Sequence, residues 1–323
     1  MTSSVLLAVL NYLFGWTTLT VLLSLLLAAG YPVFARIVKH NSAEDSAFFT
    51  LIYGLLAPIA TTASLVVLSL PALSSYIIAD HCHGDDCTPH ALHITTDTVE
   101  GVVTVIAAVG LLTVFIVAVL MQLMRAQRNL NTLKNFSEPA QSTFRVVETD
   151  AHLAWCAGLF KPQIYVSSGL MQSLTAEQLN LVLLHEHSHA VRKDNLRKWC
   201  LHWASIIWPK KLRAKIRQDH SNYAELASDA AVARSYNNID KDVFVSTLQA
   251  CAACKKPNQE FEPVANKLRE NAFESQRIEQ STHKDALSRF SFFKSMVITL
   301  WLWVAAVISA IYFGHPLLEW LSR

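Results

Sequence analysis

Thr175-Ala176-Glu177-Gln178-Leu179-Asn180-Leu181-Val182-Leu183-Leu184-His185-Glu186-His187-Ser188-His189 is the stretch on which the reading of this chain turns. Thr175 with Gln178 three residues later is a capping-box signature, so a helix starts here. Leu179, Val182, Leu183 and Leu184 supply it with an apolar face. His185 and His189 then lie one turn apart on one face. Two imidazoles at that spacing can hold one zinc ion, because neutral imidazole suits a borderline-soft metal. Glu186 projects beside such an ion, where a carboxylate can act as general base on water. The competing reading is three histidines and a glutamate on a solvated helix face, and the apolar face of the helix argues against it. His187 points away from His185 and reads as a residue supporting the ligands from behind or facing solvent, not a ligand.

A catalytic metal site needs a third protein ligand. The best candidate is Glu225, in Glu225-Leu226-Ala227-Ser228-Asp229. Glu225 and Asp229 share a helical face, so Glu225 can complete a His-His-Glu set while Asp229 hydrogen-bonds a ligand histidine from behind. Alone, this pair would read as a solvated face. The neighbouring His-Glu-x-x-His helix reverses those odds. Short strands are expected at Phe144 to Glu148 and Gln163 to Ser167, the latter able to take a substrate as an added strand.

Further outward the composition becomes decisive. Hydrophobic residues make up 52% of the 323-residue chain and charged ones only 16%, against about 25% charged in soluble domains. Apolar runs near Val5–Phe34, Phe48–Ile78, Val102–Met124 and Ser295–Phe313 each reach the ~20 residues that cross a bilayer. Four such runs are hard to bury in a soluble core of this size. The net charge of +2 argues for no nucleic-acid partner. The location of the charges sets orientation. Arg36, Lys39, Arg125, Arg128, Lys134, Arg289 and Lys294 flank the runs on one side. Asp80 to Val99 holds four aspartates and no Lys or Arg. Positive residues mark the cytoplasmic side. Both termini and the 80–98 loop are therefore expected outside, with residues 125–291 in the cytoplasm.

These residues and this plan resemble the M56 family of membrane zinc peptidases, the family of the BlaR and MecR antibiotic sensors. The similar stretches are Gly158-Leu159-Phe160-Lys161-Pro162-Gln163-Ile164-Tyr165-Val166, His185 to His189, Arg192-Lys193-Asp194-Asn195, Trp208-Pro209 and Glu225 to Asp229. M48 peptidases are similar more distantly. The resemblance implies an α-helical membrane protein with four transmembrane helices and a cytoplasmic α+β, gluzincin-like zinc protease domain. Its parts would be a three-span region over 1–124, the protease over 125–291, and the fourth span with a short outer tail over 292–323. The resemblance implies that His185, His189 and Glu225 hold Zn2+ and that Glu186 is catalytic. It also implies a bacterial inner-membrane endopeptidase acting in signal transduction. Such an enzyme cleaves itself or a cytoplasmic winged-helix repressor of the BlaI or MecI type, in contact with the bilayer and compatible with self-association. The antibiotic sensors carry an outer penicillin-binding domain after the fourth span. This chain ends at Arg323, so sensing of β-lactams by its own acylation is not expected. A quality-control protease and a non-proteolytic membrane metal sensor are the alternatives.

The outer loop gathers His81, Cys82, His83, Cys87, His90 and His93. Imidazole and thiol together suit copper or zinc, and a Cys82–Cys87 disulfide or a plain solvated loop competes with that reading. Cys251 and Cys254 stand without a second pair and read as structural. Cys156 and Cys200 read as buried small apolar residues. Trp199, Trp203 and Trp208 lie among seven cations between Arg197 and Arg217. That mixture suits a membrane interface, with a core helix followed by a solvated basic helix as the alternative. His220 and Tyr223 are the nearest candidates for oxyanion stabilisation.

Overall fold

A computed structural model describes residues 2–70, 99–140, 143–235 and 289–322, together with Thr247. The six outer-loop residues from His81 to His93, and Cys251 with Cys254, lie outside the described residues. Among those described, helices α1 (Thr2–Val38), α2 (Ala43–Leu68), α3 (Val99–Asn135) and α8 (Arg289–Ser322) carry the long apolar runs. Each is long and apolar enough to cross a membrane, over Tyr12–Val38, Ala43–Leu68, Val109–Asn135 and Ser291–Phe313. The second span begins five residues before its expected start. Ser42 caps it, its hydroxyl accepting from the Asp45 amide, and the helix then stops at Leu68. Acidic residues at a helix start are stabilised by its dipole, so the charges of Glu44 and Asp45 do not delay it. The third span runs on past Met124 through Arg125, Arg128 and Lys134, because charge ends a membrane segment without ending a helix.

α1, α2 and α8 form a bundle tied by backbone and hydroxyl groups. Tyr53 donates to the Leu27 carbonyl at 2.7 Å, Trp16 to Thr62 Oγ1 at 3.0 Å and Ser64 to the Val307 carbonyl at 3.2 Å. α3 stands beside the bundle, and none of its span is buried.

A four-stranded sheet follows, built of β1 (Ser137–Ala140), β2 (Phe144–Val147), β3 (Ala154–Ala157) and β4 (Gln163–Ser167), in the order β1-β2-β4-β3. β2 and β4 are parallel and the outer pairs antiparallel. β1 and β3 are absent from the sequence reading for clear reasons. β1 contains Pro139, tolerated at a sheet edge, and Ala-Trp-Cys-Ala of β3 has no alternation to read. Gly158 closes β3 at φ 105°, where a Cβ would lie 2.8 Å from the Lys161 carbonyl oxygen. Phe144, Ile164, Val166, Leu170 and Val182 form the core between the sheet and α5 (Ala176–Arg192), with the short α4 (Ser168–Ser173) beside them.

α6 (Asp194–Ala204) and α7 (Lys210–Ser235) do not stand apart from the bundle. Leu201, Trp208 and Ile216 share one core with Leu27, Tyr31, Phe34, Tyr53 and Leu56. The Trp208 ring lies 5.8 Å from Tyr31 and 6.2 Å from Tyr53. Trp208 is thus a core residue and not the interfacial one expected, because the aromatic rings of two spans converge on it. Cys156 and Cys200 are half-buried free thiols.

Candidate metal centre

The capping box at Thr175 and Gln178 is present in full, and α5 carries the motif on its second half. The His185 and His189 Nε2 atoms face each other at 3.1 Å. Glu225, from the middle of α7, brings one carboxylate oxygen to 3.5 Å from His185 Nε2 and the other to 3.7 Å from His189 Nε2. Ligand atoms on a tetrahedral ion with bonds of ~2.0–2.1 Å stand about 3.3 Å apart. The three side chains therefore fit one such ion, and among the described residues they are the group that can hold one.

Behind each imidazole sits a carboxylate. Asp229 Oδ1 is 3.0 Å from His185 Nδ1, and Asp194 Oδ2 is 2.7 Å from His189 Nδ1. An acceptor at Nδ1 keeps the proton there and leaves the Nε2 lone pair free for a metal. The field matches this arrangement. Burial disfavours charge on His185, but hydrogen bonds to Asp229 and Glu225 outweigh it and raise its pKa to about 9. Burial likewise opposes charge on Glu225, yet the two imidazoles hold its carboxyl well below the usual range. Three carboxylates around two imidazoles make a pocket that favours a cation.

Asp194 reaches His189 through a sharp turn. Lys193, at φ 53°, links α5 to α6 as a single left-handed residue. Arg192 ties the corner together. Its guanidinium meets Asp194 at 2.6 Å, the Ala224 carbonyl at 2.9 Å and Ser228 Oγ at 2.7 Å, and it also donates to Ser188. One side chain thus joins both ligand-bearing helices. Asn195 Nδ2 donates to the Cys156 carbonyl of β3 at 2.8 Å. Lys198 Nζ stands 4.0 Å from Glu225 Oε1.

Glu186 is half-buried, and its charge acts on Cys156 of β3. Burial first, and then the charges of Glu186 and Asp194, push the Cys156 thiol up to about 12. His187 is exposed, as expected of a non-ligand. Of the two oxyanion candidates, His220 lies near enough to Asp194, Lys198 and Arg192 for their charges to act on it, and Tyr223 is turned from Glu225. His220 is fully buried with no partner on either ring nitrogen. Tyr223 lies four residues after Asp219, on the α7 face toward Tyr31, and the Asp219 charge adds to burial in raising its hydroxyl to about 12. Two residues separate Tyr223 from Glu225, which puts them on opposite sides of the helix. β4 cannot accept an added strand either, since β2 and β3 occupy both its edges. Asp194, Arg192, Asn195 and Lys198 are site residues that spacing alone misses. Had α5 continued straight, Asp194 would not face His189.

A family model described as BlaR1 peptidase M56 matches residues 16–279 of the chain. Comparison with curated proteins finds none that matches.

Proposed function

The chain belongs to the M56 peptidase family, the membrane metallopeptidases of BlaR1 type, and from that premise we propose that it is a membrane zinc endopeptidase. In this reading His185, His189 and Glu225 hold the ion. The carrying observation is the convergence of two Nε2 atoms and one carboxylate, each imidazole backed by its own aspartate. When bound, zinc supplies Lewis acidity to a peptide carbonyl and to water. Glu186 accepts the proton of the attacking water and delivers it to the departing amine. Lys198, the cation beside Glu225, meets the negative charge that develops on the carbonyl oxygen. The substrate backbone lies along the outer edge of β3. That edge is not paired with another strand among the described residues, and Asn195, which donates to the Cys156 carbonyl there, would yield that acceptor to the substrate.

The family resemblance supports a regulatory role, with cleavage of the chain itself or of a cytoplasmic winged-helix repressor. The cytoplasmic placement rests on the distribution of Lys and Arg. Glu186→Gln tests the reading. Loss of new protein N-termini in cells carrying it, with zinc content unchanged by elemental analysis, is expected. Persistent cleavage would sink the mechanism. Lys198→Met should lower turnover about 10²-fold with zinc still bound. Unchanged turnover removes Lys198 from the role.

A further inference from the structure

α6 packs against α3 and leads into the turn before α7. Trp199 Nε1 donates to Gln122 Oε1 on α3 at 3.1 Å, and four residues later the Trp203 ring lies 5.2 Å from Phe115. α6 therefore climbs α3 toward its apolar part. Phe115 precedes Arg125, the first charge at that end of the span, by ten residues, about 15 Å along a helix. Beyond Trp203 come Ile206 and Ile207, 38% and 39% exposed. On α3, Leu111, Val114 and Ile116 are exposed as well.

The backbone of this turn points the same way. A helix end in water can leave its last carbonyls to solvent or cap them, whereas one in lipid must satisfy them internally. Here Ser205 caps the Leu201 carbonyl through both its amide and its hydroxyl, at 3.0 and 2.6 Å. Arg217 donates to the His202 carbonyl at 2.7 Å, the Ile206 amide to Trp203 at 3.2 Å and the Trp208 amide to Ser205 at 3.1 Å. Arg213 donates to the Ile206 carbonyl at 2.8 Å. Pro209 has no amide to satisfy. Two arginines thus serve main-chain carbonyls, while Lys210 and Lys211 at the start of α7 are exposed.

We propose that the Ser205–Lys211 turn is a membrane-inserted element, with Ile206 and Ile207 in the acyl region and the exposed Lys210 and Lys211 snorkelling from it toward the phosphates of anionic lipid. Apolar tips flanked by lysine bind interfaces in this manner. The proposal rests on the membrane spans and not on the peptidase chemistry, so either can fail without the other. Its consequence is a fixed height for the metal centre. Asp194, on His189, opens α6, and ten residues at 1.5 Å separate it from Ala204, about 15 Å.

The test places the photocrosslinker p-benzoylphenylalanine at position 207 of the full chain. The protein sits in vesicles of equal parts phosphatidylcholine and phosphatidylglycerol. Leu111, exposed on α3, serves as the lipid-facing control and Glu177, exposed at the start of α5, as the aqueous one. A phospholipid adduct at 207, as at 111 and unlike 177, is expected, enriched in phosphatidylglycerol. Lys210→Glu with Lys211→Glu should remove the enrichment, which at ~1 kcal/mol per lysine is about fivefold for each. Position 206 repeats the measurement if the 207 variant does not fold. A 207 site that gives no lipid adduct, or a crosslink only to a second copy of the chain, overturns insertion. Enrichment that survives the double charge reversal overturns the headgroup contact.

Discussion

His185 and His189 acquire their chemistry from two aspartates at different distances in sequence. Asp229 lies 40 residues or more from either histidine, and Asp194 only five from His189, yet each accepts from one Nδ1. Exchanging that carboxylate for an amide, which donates as well as accepts, frees the ring to rotate or to change tautomer. Asp194→Asn and Asp229→Asn should each weaken zinc binding about 10–100-fold, measured by competition with a chelator dye. Equal affinity in both variants would show that the aspartates do not orient the ligands. Asp229 was legible because it shares a helical face with Glu225. Asp194 was not, because its approach depends on the left-handed conformation of Lys193, a conformation that nothing in a lysine announces.

α7 carries both a ligand face and a packing face. Glu225 and Asp229 lie on the first, while Ile216, Ala224, Ala227 and Val232 are buried along the helix. His220 belongs to the buried set, and this has a pH consequence. Burial, reinforced by Lys198, Arg197 and Arg192 against the opposing effect of Asp194, lowers its pKa to about 4. The unfolded chain takes up this proton near pH ~6.5, whereas the folded chain does so only near 4. Stability from the neutral ring is therefore complete above pH ~6.5 and is lost as pH falls toward 4, by at most about 3 kcal/mol. Thermal unfolding in detergent should show this acid limb, and His220→Leu should flatten it. Because neither ring nitrogen has a partner, the leucine variant should be no less stable at pH 7. An unchanged acid limb would remove His220 as its cause.

Across the whole molecule, the metal centre is joined to the spans by close contact. Gly54, inside α2, leaves room for Leu201 of α6: a Cβ on Gly54 would fall 2.2 Å from Leu201 Cδ1. Tyr31 of α1 donates to Asp219 of α7 at 2.8 Å, six residues before Glu225. Gly54→Val should force α6 from α2 and cost about 1–3 kcal/mol, read by thermal unfolding. Leu201→Ala in the same chain should recover part of that loss, since the cavity accepts the new methyl groups. Additive destabilisation would show that the two residues do not meet.

The spans, the motif helix with its cap, β2 and β4, and the Glu225–Asp229 face were all legible in the sequence by itself. Each is written in local periodicity, run length or capping chemistry, which neighbours in sequence determine. Only the tertiary structure decided that β4 is an inner strand and β3 the edge, that Trp208 is core, that His220 is buried with no hydrogen-bond partner, and that Tyr223 turns from Glu225. It also decided that Asp194, Arg192 and Lys198 turn toward the site. Those outcomes depend on which surfaces meet, and such meetings are set by packing between elements far apart in sequence. The His185-Glu186-x-x-His189 stretch dictated the chemistry available to the chain. The folding of α7 across the spans and back onto α5 decided where that chemistry is assembled.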